Sequence, residues 1–221
     1  ARDFARSNNA RAKTDAIDAR WLARMGRANQ LTPSTMPDPQ RAQLARLHHR
    51  RDQLVQDRAD DKKRRETALD ADERDSIDRH IGFLNDEIRR IEKMRAERIA
   101  ASAELSDLRD RLATAPGLGP VTITTLIAAL PELGQRSPKE IAALVGVAPY
   151  PNESGTFRGA RHISGGRPRV RRALYMAALS AIRTCERFRL FYDGVRQRSS
   201  SAKCAIIAVA RKLIVALNAM V

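Results

Sequence analysis

IDRHIGFLNDEIRRI, residues 77–91, sets apolar side chains at Ile77, Ile81, Leu84, Ile88 and Ile91, spaced by 4, 3, 4 and 3. Steps of three and four return a side chain to one helix face, so the segment predicts a helix with a heptad seam. The ladder through 77, 84 and 91 loses its apolar residue at Arg98 and regains it at Leu105 and Leu112. Upstream, Leu44, Leu47, Leu54 and Val55 mark a second stripe. The two can close on each other as an antiparallel hairpin turning near LDADE, residues 69–73, or the seam can close on a second copy as a coiled coil. Either way the middle of the chain is a helical spacer.

Outward from this spacer the charge changes character. Residues 41–112 hold eighteen Lys and Arg against seventeen Asp and Glu, as a solvated helix face requires, whereas residues 113–221 hold sixteen against five. The C-terminal half thus supplies most of the net charge of +15, which fits a contact with polyanion localised there. With 43% apolar residues but only nine Phe, Trp and Tyr, the cores are aliphatic. No apolar run reaches membrane-spanning length, neither IIAVARKLIVAL nor VTITTLIAAL. No signal peptide opens the chain, and Cys185 and Cys204 have no disulfide or zinc spacing. The expectation is a cytoplasmic chain with reduced thiols and no membrane partner, for which polyanion means DNA or RNA.

Toward the N-terminus, Thr14 can cap a helix with Asp15 in its first turn and Ile17, Trp21, Leu22 and Met25 on one face. PSTMPDPQ, residues 33–40, breaks it with three prolines. Toward the C-terminus, Pro116, Gly117, Gly119 and Pro120 precede the apolar helix VTITTLIAAL, and SPKEIAALVGVAP reads as a capped second helix. RRALYMAALSAI predicts a helix with Leu174, Ala178 and Ala181 or Ile182 inward. SAKCAIIAVARKLIVALNAM predicts another, with Ser201 as a possible cap and Ile206, Val209, Leu213 and Leu217 buried. Between them, Phe188, Phe191 and Tyr192 are read as a plug joining the two.

Three groups could carry chemistry. Asp15 and Asp18 stand three apart in a first helical turn, a geometry that can hold magnesium or manganese but is also common as a simple complement to the helix dipole. The segment APYPNESGTFRGARHISGGRPRVRRALY, residues 148–175, carries Arg158, Arg161, Arg167, Arg169, Arg171 and Arg172, and no acid occurs between Ser154 and Cys185. Within it His162 can orient a phosphate, and Ser154 and Ser164 are either turn and phosphate-contact residues or nucleophiles activated by arginines. The turn at Gly117 and Gly119 can offer freed backbone N–H groups to a phosphate, or be an ordinary tight corner. His48, His49 and His80 lie apart without a metal-ligand cadence.

Taken together, AKTDAIDARWLA (12–23), the helical middle, APGLGPVTITTLIAAL (115–130), LVGVAPYPNESG (144–155), HISGGRPRVRRALYMAAL (162–179) and AIIAVARKLIVALNAM (205–220) resemble one family. It is the RNA-guided insertion-sequence transposases or recombinases, which pair an N-terminal RuvC-like domain bearing an Asp-Glu-Asp-Asp metal site with a C-terminal serine-bearing domain. The resemblance implies a mainly α fold: a C-terminal piece of the RuvC-like domain over residues 1–32, a linker and helical coiled-coil or hairpin region over 33–112, and a helical transposase domain with a helix-hairpin-helix-like turn over 113–221.

The resemblance also implies roles. Asp15 and Asp18 match the third and fourth acids of a Lys-Thr-Asp-x-x-Asp-Ala motif and would bind Mg²⁺ or Mn²⁺, the family's first Asp and Glu lying upstream of this sequence. Ser154, in the Ser-Gly pair of PYPNESG, would be the nucleophile, with Ser164 the runner-up. Lys13, Gly117, Gly119, Arg158, Arg161, His162, Ser164, Arg167, Arg169, Arg171 and Arg172 would hold nucleic acid. The implied partners are donor and target DNA, a structured guide (bridge) RNA and further copies of the chain, as a dimer or tetramer. The expected function is RNA-guided strand exchange through the serine, assisted by the metal site. Its alternatives are a non-catalytic nucleic-acid-binding or bridging protein, or a RuvC-like metal-dependent nuclease.

Overall fold

The structure, a computed structural model, describes residues 4, 14–28, 38–154, 156–199 and 201–221. Its contacts divide the chain into two units, Ala1–Pro37 and Asp38–Val221. In the first, helix α1 spans Asp15–Ala28. Thr14 starts it as expected, its Oγ1 accepting from the Ile17 N–H at 3.3 Å. Trp21 meets Phe4 edge to face and carries the Arg24 guanidinium over its ring, and no residue of α1 is buried. The proline-rich break at 33–37 lies outside the described residues.

The second unit opens with α2 (Pro39–Thr67) and α3 (Ala71–Ala100), which turn on each other at Ala68–Asp70. Asp38 caps α2 through the Arg41 N–H at 3.0 Å, and Pro39 sits at the first helical position, where its missing N–H costs nothing. The partners step in opposite directions along the pair: Arg41 meets Glu104 just past α3, Gln43 meets Arg98, Arg51 meets Glu92, Arg58 meets Asn85, and Arg65 meets Asp78. That antiparallel ladder flanks a narrow seam of Leu54, Leu84, Ile88 and Ile91. The heptad face of α3 therefore packs on the same chain, which is the hairpin alternative. The ladder loses its apolar residue at Arg98 because the buried face of α3 runs on through Arg95 and Ile99 instead; Leu105 and Leu112 belong to α4 (Ala103–Ala113), capped by Ser102.

The remaining helices are α5 (Pro120–Ala129), α6 (Pro138–Val145), α7 (Pro168–Thr184), α8 (Glu186–Arg198) and α9 (Ala202–Met220). Helix α6 carries a full capping box between Ser137 and Glu140. Helix α9 packs against α4, α6, α7 and α8, and α5 lies against α2, α4 and α7. The core between them is aliphatic: Leu126, Ile127, Leu130, Ile141, Leu174, Leu213, Ile214 and Leu217 are fully buried. Burial of such a side chain contributes about 1.5–3 kcal/mol, so this core dominates the stability. Leu44 of α2 and Ile99 of α3 join it, anchoring the base of the hairpin.

The fold is mainly α, as expected, with two additions. The basic segment, where no strand was expected, contains an antiparallel pair, β1 (Pro149–Ser154) and β2 (Phe157–Ile163), joining Pro149 to Ile163 and Ser154 to Phe157 with an irregularity between Tyr150 and Asn152. RFRLFYDG belongs to a further helix, α8, where Phe188 is buried and Phe191 and Tyr192 pack on the core, with Lys212 over the Phe191 ring. Ser201 begins α9, but its side chain makes no cap hydrogen bond. No described helix is long and apolar enough to cross a membrane.

Candidate nucleic-acid interface and carboxylate site

In α1, Asp15 and Asp18 fall in the first turn and both are exposed. Residues three apart are neighbours on a helix, so the two carboxylates project side by side where the N-terminal dipole favours negative charge. Oxygen donors of this kind suit a hard divalent cation. They fit as part of a ligand set: no group of three or more His, Cys, Asp or Glu able to hold a metal occurs among the described residues. Lys13 lies outside those residues.

The other candidates lie in the second unit, and the fold assigns its arginines different surroundings. Arg167, just ahead of α7, donates through Nη1 and Nη2 to the two carboxylate oxygens of Glu132, each at 2.6 Å, and to the Ala129 carbonyl at 2.8 Å. This fork ties α7 to the loop after α5, and its hydrogen bonds hold the Glu132 carboxyl below the usual carboxylate range. Arg171 Nη1 donates to the Gly165 and Gly146 carbonyls at 2.7 and 3.2 Å, clamping the Ser164-Gly165-Gly166 turn onto the end of α6. Arg169 instead reaches Asp52 of α2 at 3.4 Å. Arg172 and Arg161 are exposed and make no ion pair among the described residues, while the Arg158 side chain lies outside them.

Gly117 adopts φ +83°, and a Cβ there would stand 2.5 Å from the Ala177 carbonyl and 2.6 Å from the Ala181 nitrogen. The turn is thus pressed against α7, and its glycine is needed for backbone approach. Gly119 is exposed at the N-cap of α5, with open space beside it. Ser154 ends β1, and Ser164 follows β2; both are exposed. His162 sits opposite Tyr150, at the far end of the hairpin from the Ser154–Phe157 pair. Four strand residues separate those positions, about 13 Å.

What the sequence reading missed is a cleft of about 580 Å³ where α2 passes α5 and α7. His48, Arg51 and Asp52 line it from α2, Val121 and Thr125 from α5, and Arg169, Arg172 and Met176 from α7. His48 is only 3% exposed, and neither ring nitrogen has a hydrogen-bond partner. Its Nε2 stands 3.8 Å from Asp52 Oδ2, beyond hydrogen-bond length. Burial first, and then the neighbouring Arg95, Arg169 and Arg51, lower its pKa to about 4 against the pull of Asp52. Arg95 of α3 is 2% exposed with Nε and Nη2 unpartnered; burial and Arg51 lower its pKa to about 10.

Residues 109–193 match the model of the Transposase IS116/IS110/IS902 family, and residues 1–71 match a second transposase model, DEDD_Tnp_IS110. The class these segments define is that of the transposases. More particularly, the chain carries an IS110-family transposase domain. A pilin gene-inverting protein of Moraxella bovis is 30% identical over 220 residues, spanning 96% of this chain, and its Moraxella lacunata counterpart is 29% identical over 220. The chain spans 66% of the length of either relative. An IS110 insertion-element protein of Streptomyces coelicolor, described as uncharacterized, is 30% identical over 125 residues, 55% of this chain and 31% of that protein.

These matches overturn the expectation of strand exchange through a serine nucleophile. They point instead to a RuvC-like nuclease mechanism.

Proposed function

We propose that this chain acts in a transposase that cuts DNA as a RuvC-like metal-dependent nuclease, with Asp15 and Asp18 supplying two of the metal's carboxylate ligands. The observation that carries the reading is the pair of exposed carboxylates, one turn apart, inside the segment matching a transposase model of the DEDD type. When bound, Mg²⁺ or Mn²⁺ would polarise a phosphoryl oxygen and lower the pKa of an attacking water. Asp15 and Asp18 would hold the ion with oxygen donors and keep it at the helix terminus. The basic second unit would hold the DNA backbone, Arg161 and Arg172 presenting charge outward. A relative named for inverting a pilin gene supports double-stranded DNA as the substrate.

The finer assignments belong to the same proposal. Residues 1–32 form the C-terminal piece of the RuvC-like domain, 33–112 the linker and helical spacer, and 113–221 the nucleic-acid-holding domain. A structured guide RNA and assembly of two or four copies follow from the resemblance, and the excess of basic residues in 113–221 supports an RNA partner as well as DNA. The presence of just two candidate ligands among the described residues favours one second reading, a non-catalytic nucleic-acid-binding or bridging role.

Titrating the chain with Mn²⁺ and following the free ion by electron paramagnetic resonance separates the two readings. The nuclease reading predicts saturable binding that Asp15→Asn with Asp18→Asn weakens at least ten-fold. Binding indifferent to both substitutions sinks the metal role and leaves the bridging reading.

A further inference from the structure

The geometry points to the α2–α5–α7 cleft as a seat for one nucleotide of a nucleic-acid strand, its phosphate facing His48, Arg169 and Arg172 and its sugar and base resting on Val121 and Met176. Several independent features converge. His48 is almost wholly buried and lines the cleft, yet both its ring nitrogens lack partners. Unpaired buried polar atoms are costly, and a small rotation of the imidazole toward the cleft would let a ligand oxygen take up one of them. Arg95 leaves two further buried nitrogens unpartnered, and its charge reaches His48.

The field around the cleft is cationic. Arg51 and Asp52 face it from α2, Glu92 and Arg95 come from α3, and Arg169 and Arg172 come from α7. Four guanidiniums thus stand against two carboxylates. Glu92 is held by Arg51 at 2.8 Å and Asp52 by Arg169 at 3.4 Å, which leaves Arg95 and Arg172 in excess. The first turns of α5 and α7 both open here, at Val121 and at Arg169, adding the positive ends of two helix dipoles.

An inorganic anion alone would not need the remaining wall. Val121 and Met176 are 43% and 62% exposed, large apolar side chains beside a cluster of arginines. A volume of about 580 Å³ accommodates a nucleotide rather than a bare phosphate. Backbone charge on one wall and an apolar shelf on the other is the chemistry of a sugar-phosphate with an unstacked base. The proposal rests on the proposed function for nucleic acid as the ligand, but not for cutting.

The test is imidazole nuclear magnetic resonance of the 221-residue chain, with His48→Gln assigning the His48 signals among four histidines. The probes are a single-stranded DNA dodecamer, an RNA of the same sequence, and inorganic phosphate, with affinities from fluorescence anisotropy. Either oligonucleotide is expected to shift the His48 resonances and raise its pKa by more than one unit, and the stronger of the two identifies the strand. Arg172→Ala, an exposed residue that folding does not require, should weaken that oligonucleotide at least three-fold and lower its salt slope by about one. Met176→Asp should weaken it further, while Arg90→Ala on α3, paired with Glu87, should not. Oligonucleotide binding that leaves His48 unmoved overturns the proposal, as does a response to inorganic phosphate alone. A His48 response in a chain that fails to bind Mn²⁺ would sink the nuclease reading and keep the seat.

Discussion

The outer hairpin and the helical body use the same helix geometry with different chemistry. Along α2 and α3 a four-residue apolar seam is flanked by paired charges, so cations and anions cancel locally. In the body, Leu126, Leu174, Leu213 and their neighbours form a continuous aliphatic core, and the surface carries arginine with few acids to answer it. Where the two regions meet, the balance fails and His48 and Arg95 are left without partners. The difference teaches that function is to be sought at the junction, because the hairpin's charges satisfy one another and the body's interior has none to offer.

The comparison breaks first on core truncation. Leu126→Ala, in the wide core, should cost about 3–5 kcal/mol, while Leu54→Ala, in the narrow seam that collapses more readily, should cost about 2–3, both read by urea unfolding. Equal losses would mean the seam is as tightly packed as the body. Gly117→Ala should cost about 2–4 kcal/mol, since it combines a left-handed φ with overlap on the α7 backbone. A neutral result would show that the turn is not pressed on α7.

The junction adds a pH dependence. The folded protein lowers the His48 pKa to about 4 from an ordinary value of 6.5. The unfolded chain therefore binds the proton more tightly between those values, and folding must give it up. Stability should be fully present above pH 6.5, fall by up to about 3 kcal/mol as pH drops to 4, and lose no more from this group below that. His48→Leu should flatten that slope, measured by unfolding at stepped pH. The smallest effect belongs to the hairpin surface: Arg65→Ala removes an exposed pair with Asp78 and should leave the melting temperature unchanged.

Most of this architecture is written locally. Ile77 to Ile91 announced α3, Leu213 and Leu217 announced the face of α9, and Ser137 with Glu140 announced the cap of α6, because each signal spans a turn or two of one helix. The β1–β2 hairpin was illegible, since PYPNES and FRGARHI show no apolar alternation. Asp15 and Asp18 could be singled out because three-residue spacing is itself the geometry. Arg167 and Arg171 resembled their neighbours until Glu132 and the Gly146 and Gly165 carbonyls came into reach. His48 was passed over for the same reason: its setting is assembled from three helices far apart in sequence, and no spacing encodes it.

The central claim is that the chemistry belongs to carboxylates and metal rather than to the serine. Nicking of supercoiled DNA in Mn²⁺ by the transposase in which this chain acts, by its Asp15→Asn with Asp18→Asn variant, and by its Ser154→Ala variant, tests it in one assay. The account predicts metal-dependent nicking that the double aspartate substitution lowers at least a hundred-fold and Ser154→Ala leaves within two-fold. Nicking that survives loss of both aspartates, or that disappears with Ser154→Ala, would contradict it.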